Sequence, residues 1–291
     1  MNAGRPKPRE SEDFLSLLTR EVIPRLVVLE RGERPECKGV AAGQGLLEPL
    51  SQALSFDQSH PHYADVVQLA DLSLGSSFPA CIEFVEARMA RGLPTESVFL
   101  ELIQPAARLL GERWVMDTCS FADVTIGLWN LQRVFTELLE RFHAEPHPRV
   151  PKGGRPAIFL TGMPGGQHRL GLMMVGAFFA RQGWSVQLHE ATEEPNLLEA
   201  AAHSQSELIA ISIGSENEMK LAAAFILRLR QICRQKNKNH VPLIMIGGPA
   251  VALFPTLAQQ AGADLITGDA PQAVAAAEAL LLTKKNPNGS D

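Results

Sequence analysis

AIFLTGMPGGQHRLGLMMVGAFFARQGWSVQ, residues 157–187, decides how this 291-residue chain is read. It opens on a short apolar run, 157–161, with a proline just before it and Gly/Pro turn residues just after, which predicts a buried strand. A loop follows over 162–169, with His168 near its end. From Gly171 the apolar residues Leu172, Met173, Val175, Phe178 and Phe179 recur at helical spacing, and 184–188 returns to a strand pattern. This order puts a histidine in the loop at the carboxyl edge of the first strand, where ligands sit in open α/β sheets. Taken alone, such a histidine is better explained as a polar loop residue hydrogen-bonded to its own backbone.

The pattern continues downstream. Helices are expected over 196–204, 218–236, 251–261 and 270–282, and strands over 208–213, 243–246 and 263–267. Five strands alternating with helices specify an α/β domain over 157–283, a doubly wound parallel sheet with right-handed crossovers. Its ends carry Ser212 and Gly214 after one apolar run and Gly247-Gly248 after another. Residues 284–291 read as a polar tail.

Upstream, 144–156 (AEPHPRVPKGGRP) holds four prolines and two glycines and reads as an interdomain linker. Before it, 63–143 carries four helical patterns: 64–73, 78–91 closed by Gly92, 94 to about 116, and 120 or 121 to 142. Short connections between them specify an antiparallel four-helix bundle. Thr95 is the expected cap of the third helix, and Pro105 inside it predicts a kink or break. Residues 1–62 form an N-terminal extension. Its first ten residues are Pro-rich and apolar-poor and are expected to be disordered. Ser11 then caps an amphipathic helix carrying Phe14, Leu17, Leu18, Val22, Leu26 and Leu29, kinked near Pro24 and ended by Gly32. Its apolar face either folds back on the chain or meets a partner. Residues 32–62 read as a linker.

The chain is 45% apolar and 20% charged with a net charge of -5, which argues against a strongly electrostatic grip on nucleic acid. Four cysteines, Cys37, Cys81, Cys119 and Cys233, fall in no metal-like spacing and are too few for a disulfide scaffold, so a reducing cytosol is expected. No run of about 18 apolar residues and no signal peptide stands in the sequence, so the expectation is a soluble, cytoplasmic protein without a membrane partner.

Gly166-Gln167-His168-Arg169-Leu170-Gly171, then Ser212-Ile213-Gly214, then Gly247-Gly248 resembles the pattern of the cobalamin-binding domain of methionine synthase, the corrinoid proteins and the B12 photoreceptors. The resemblance covers about 155–282 and implies a flavodoxin-like B12-binding fold. It implies that His168 displaces the corrinoid's own base and ligates cobalt, that Ser212 lines the slot for the nucleotide tail, and that Gly247 and Gly248 let the tail pass near the backbone. Gly171 and Gly214 complete the matched motifs. A neutral imidazole suits a borderline-soft metal, and glycines permit close approach. One departure is plain: the family's Asp two residues before the histidine is Gly166 here, so the acid that would orient the ring is missing.

The helical region carries the resemblance further. Leu110-Gly111-Glu112-Arg113-Trp114 is similar to the family's Leu-Gly-x-x-Trp segment, which implies that Trp114 lies above the ring; the bland alternative is a core aromatic. The light-sensing receptors carry a His after this Trp and a Glu-His pair ten residues on, whereas this chain has Val115, Val124 and Thr125. The stretch from Trp114 through Asp117, Phe121, Asp123 and Gly127 instead resembles the PpaA/AerR group of anoxygenic phototrophic bacteria, related to SCHIC domains. That likeness implies a cobalamin-binding (adenosyl- or hydroxocobalamin) or haem-binding, light- or redox-responsive regulator of photosynthesis and pigment genes. It would act as antirepressor or co-regulator through a repressor of the PpsR/CrtJ type, with any DNA association indirect. No helix-turn-helix or zinc-finger spacing is visible, which favours a protein partner.

Two other functions fit the same fold: a corrinoid carrier of a methyltransferase system, disfavoured by Gly166, and a haem sensor with His168 as axial ligand. An independent catalytic site is not expected, because Glu193-Glu194 precede Pro195 at a helix start, where negative charge is favourable in itself, and Ser215-Glu216 opens a loop. The basic cluster Arg228, Arg230, Arg234, Lys236 and Lys238 reads as a solvated helix end, with a partner-contacting patch as the alternative.

Overall fold

The computed structural model describes residues 61–75, 78–146, 156–164, 169–190, 193–236 and 241–285, the side chains of 284 and 285 excepted. The expected extension up to residue 60, most of the linker and the polar tail lie outside the described residues. The chain divides into two compact units, Met1–Glu140 and Arg141–Asp291.

Four helical segments make up the described part of the first unit. Helix α1 (Tyr63–Gly75) buries Val66, Leu69, Ala70, Ser73 and Leu74, and α2 (Phe78–Met89) buries Cys81, Phe84, Val85 and Met89, both at the three-and-four spacing of a one-faced helix. They run antiparallel: Arg88 near the end of α2 pairs with Asp65 in the first turn of α1 at 2.8 Å. Gly92, at φ +103°, closes α2 in a conformation open to glycine.

The third segment corrects one expectation and explains another. Thr95 does not cap it; Pro94 is the extended preceding residue, and Thr95 is fully buried as the first residue of α3 (Thr95–Ser97). Pro105 neither breaks nor ends the helix. The turn before it widens into a π-helical stretch, Val98–Ile103, and α4 (Gln104–Val115) continues beyond, with Gln104 N–H donating five residues back to Phe99 O. A proline has no N–H for the ordinary ladder, and a wide turn absorbs the misfit.

Asp117, at φ +56°, then turns the chain, and Thr118 N–H and its hydroxyl both donate to Arg113 O at 2.9 Å. Helix α5 (Phe121–Ala144) begins with a reciprocal cap: Ser120 N–H donates to Asp123 Oδ2 at 2.9 Å, and Asp123 N–H donates to Ser120 Oγ at 3.2 Å. Phe99 and Phe135 meet at 4.6 Å in the core, and buried Asn130 donates to Ser73 O at 2.9 Å.

The last turn of α5 belongs to the second unit. There Phe142 is fully buried, with its ring centroid 5.0 Å from that of Phe178 and the Arg181 guanidinium 4.2 Å above it.

The second unit is the expected doubly wound sheet: β1 (Ala157–Gly162), β2 (Ser185–His189), β3 (Leu208–Ser212), β4 (Leu243–Gly247) and β5 (Leu265–Ile266), all parallel in the order β2-β1-β3-β4-β5. Alternation along the central strands divides the core. Phe159, Ile209, Ile211, Ile244 and Ile246 share one cluster with α7 (Glu194–His203), α8 (Glu216–Lys236) and two short helices, α9 (Pro249–Leu253) and α10 (Pro255–Gln260). Helix α6 (Arg169–Arg181) and α11 (Ala270–Lys285) pack on each other beyond the other face. Gly176 lets α6 lie close to β1 and β2: a Cβ there would stand 3.2 Å from Leu160 and 3.3 Å from Val186. The single helix expected over 251–261 is two, because Pro255 drives Phe254 out of helical conformation, to φ -127° and ψ 58°. Among the described residues no helix is long and apolar enough to cross a membrane.

Candidate cofactor site

The order β2-β1-β3-β4-β5 reverses direction between β1 and β3, so the carboxyl ends of those strands flank the crevice where open α/β sheets take ligands. Register brings three small residues level across it: Gly162 pairs with Ser212, and Ser212 with Gly247. Ser212 and Gly247 carry the sequence motifs. Gly162 does not, and only the strand register reveals it as the third member of the row.

His168, the expected metal ligand, lies outside the described residues, as do Gly166 and Gln167. The chain on either side of that loop is fixed by its own contacts. Met163 N–H donates to Ser212 O at 3.2 Å, and Arg169, at the start of α6, pairs with Glu190 just beyond β2 at 3.1 Å.

The motif glycines separate into two kinds. Gly248 stands at φ +97°, and a Cβ there would meet Ile213 O at 2.6 Å, Ile213 N at 2.9 Å and Ser212 Oγ at 3.0 Å. Its lack of a side chain therefore serves the approach of two loops of this chain. Ile213 N–H donates to Gly247 O at 2.8 Å, and Ala250 N–H to Ile213 O at 3.1 Å, which seals that approach. At Gly247 a Cβ would lie 3.2 Å from Thr267 O, again a neighbour within the fold. Gly214 donates its N–H to Glu218 Oε2 at 2.6 Å, while Glu218 N–H reaches Ser215 Oγ at 3.3 Å, so the start of α8 is capped from within. Asp269 does the same for α11 by accepting Gln272 N–H at 2.8 Å.

Gly171 is different. It is exposed in the first turns of α6, and a Cβ would find nothing within 4 Å. Glycine within a helix costs about 0.5–1 kcal/mol relative to alanine, and nothing in the fold requires it here. Gly268, at the carboxyl edge beside β5, is equally open. An edge kept low by Gly162, Ser212 and Gly247 and clear at Gly171 and Gly268 fits a broad ligand laid along it.

Trp114 belongs to the first unit and is not a core residue. It is 52% exposed and meets Phe121 edge-on at 6.1 Å, and Val115 and Met116 beside it are exposed as well. Gly111, one turn earlier on α4, has nothing within 4 Å of a would-be Cβ, which leaves the side of the indole open.

Elsewhere the structure supports the bland readings. Arg228 pairs with Glu194 at 2.7 Å, Arg230 with Asp264 at 2.9 Å and Lys236 with Glu199 at 3.0 Å, so most of the basic cluster serves the fold; Lys238 lies outside the described residues. The Lys236 ammonium, bonded to Glu199, holds that carboxyl below its ordinary range. Cys81, Cys119 and Cys233 are buried, and burial pushes the Cys81 thiol up to about 11 and raises that of Cys233. Among the described residues no group of three or more His, Cys, Asp or Glu side chains is placed to hold a metal ion.

Comparison with known proteins agrees with this geometry. A protein of Rhodobacter capsulatus described as an uncharacterized 20.5 kDa protein in the bchF-crtJ intergenic region is 28% identical over 186 residues, 64% of this chain and 92% of that one. Among solved structures, the monomethylamine corrinoid protein of Methanosarcina barkeri superimposes with a TM-score of 0.59 at 17% identity, covering 75% of this chain and 99% of that one, which is a likeness of fold. Residues 158–278 match the family described as B12 binding domain, and they span the sheet and the edge built above.

Proposed function

We propose that the chain binds a cobalamin along the carboxyl edge of its sheet and serves as a light- or redox-responsive regulator of photosynthesis and pigment genes, acting through a repressor of the PpsR/CrtJ type. The observation that carries the binding half is the level row Gly162, Ser212 and Gly247 at the sheet's reversal point, inside the region that matches the B12-binding family. Support for the regulatory half is the relative placed between bchF and crtJ, together with the sequence likeness around Trp114 and Phe121.

His168 is assigned as the cobalt's lower ligand, Ser212 and Gly247 as the walls of the tail slot, and Gly171 as the clearance beside the ring. Gly248 and Gly214 act one step removed, by holding the loops after β3 and β4 in place. A bound cobalamin supplies a metal centre whose outer ligand is exchangeable. Trp114 offers an indole with more than half its surface still to be buried, an area whose covering stabilises a bound aromatic or macrocyclic face. With Gly166 in place of an acid, Gln167, a backbone carbonyl or water would have to orient the imidazole, without the carboxylate partner that raises a ligand's basicity.

The test has two arms. The full chain is incubated in the dark with hydroxocobalamin, adenosylcobalamin or haemin and desalted, and its absorption is recorded. Retention of stoichiometric cobalamin is expected; retention of haemin alone refutes the cofactor assignment. The loaded protein is then used to capture partners from a phototrophic bacterium in dark and light. A co-eluting repressor whose yield changes with illumination is expected, and a co-eluting methyltransferase instead identifies a corrinoid carrier.

A further inference from the structure

The first unit carries a second feature, separate from the Trp114 patch. A cleft of about 210 Å³ on α2 and α5 is lined by Phe78, Trp129, Gln132, Arg133, Thr136 and Glu137. The Arg133 guanidinium lies between two rings, 4.0 Å from the centroid of Phe78 and 4.7 Å from that of Trp129. Trp129 is nevertheless 53% exposed. Arg88 and Arg113 of the same unit pair with Asp65 and Asp71, whereas among the described residues Arg133 has no carboxylate partner. Stacking occupies the faces of a guanidinium and leaves its N–H edge pointing outward, the geometry that takes a carboxylate through two parallel hydrogen bonds.

The cleft therefore fits a carboxylate beside a bulky apolar side chain. Its six lining residues fall far short of the roughly 20–30 residues a side that a stable pairing of separate proteins engages, so an untethered partner would hold here only weakly. A segment of the same chain faces no such limit, because tethering supplies an effective concentration of about millimolar. The chain has such a segment: Glu10, Glu12 and Asp13 immediately precede the apolar stripe Phe14, Leu17 and Leu18, and Arg20 follows as a counterpart for Glu137. Residues 21–60 give a tether longer than the roughly 20 Å of α1.

We infer that this cleft is the docking site of the chain's own N-terminal segment, with the Asp13 carboxylate on the edge of Arg133 and the Phe14 ring against Trp129. Whatever displaces the segment then exposes an Arg-Trp-Phe surface, a composition common where binding energy is concentrated.

Hydrogen exchange on the full-length protein tests this with a charge swap. Amides of residues 12–20 are expected to be protected, to exchange at least about tenfold faster in Arg133→Glu and in Asp13→Arg, and to regain protection in the double variant. Exchange within α5 serves as the control for folding. If Arg133→Glu perturbs α5, Trp129→Ala replaces it, since a side chain this exposed is removable without core damage. An unprotected segment in the unaltered protein, or protection indifferent to Arg133 and Trp129, overturns the inference.

Discussion

Replacing Gly171 by alanine separates what the fold needs from what a ligand needs. A Cβ at this position meets nothing within 4 Å, and the residue lies inside α6 with ordinary helical conformation. Alanine therefore stabilises the unliganded protein by about 0.5–1 kcal/mol, through helix propensity and a less disordered unfolded chain. For a domain of about 150 residues this raises the melting temperature by roughly 1–4 °C. The same methyl group occupies the space assigned to the cofactor, and a loss of about 1.4 kcal/mol in binding is a tenfold loss of affinity. The assay is thermal unfolding followed by circular dichroism, without and with hydroxocobalamin, beside an absorbance titration of binding. A variant that melts higher alone, yet binds cobalamin at least tenfold more weakly, is expected. Unchanged affinity would show that the glycine serves no ligand, and a lower melting temperature would show that α6 is wrongly placed.

Gly248→Ala has the opposite signature: the φ of +97° costs about 1–3 kcal/mol for a residue with a side chain, and the contact with Ile213 O adds overpacking of about 1–3 kcal/mol, so chemical denaturation should show a loss of several kcal/mol before any ligand is added. Phe142→Ala removes a fully buried ring from between Phe178 and Arg181, and urea unfolding should record a loss of about 3–5 kcal/mol. Cys81, raised by burial from 9.0 to about 11, favours the folded state while it stays protonated; stability measured in denaturant should hold below pH 9 and fall as the pH climbs toward 11. Its thiol should also resist alkylation at pH 8 until the protein unfolds.

The sheet was legible because burial on both faces leaves continuous apolar runs, such as 208–211 and 243–246, bounded by glycine and proline. The helices of 63–143 were legible because their stripes keep the three-and-four spacing. What the sequence concealed depends on neighbours distant in the chain. Thr95 has the chemistry of a cap, yet the fold buries it one residue inside the helix. Pro105 signals disruption, but the form that disruption takes, a widened turn closed on Phe99, is settled by packing. Gly162 carries no motif and joins the site only through register with Ser212. Gly248 reads as a ligand glycine, whereas its closest neighbour is the backbone of Ile213.

The proposed bond between the His168 imidazole and cobalt is tested most directly by the absorption spectrum of cobalamin-loaded His168→Ala beside that of the unaltered protein. A shift in the visible bands of the variant is expected, marking loss of the histidine ligand, together with weaker retention of the cofactor. Identical spectra and equal retention would contradict it.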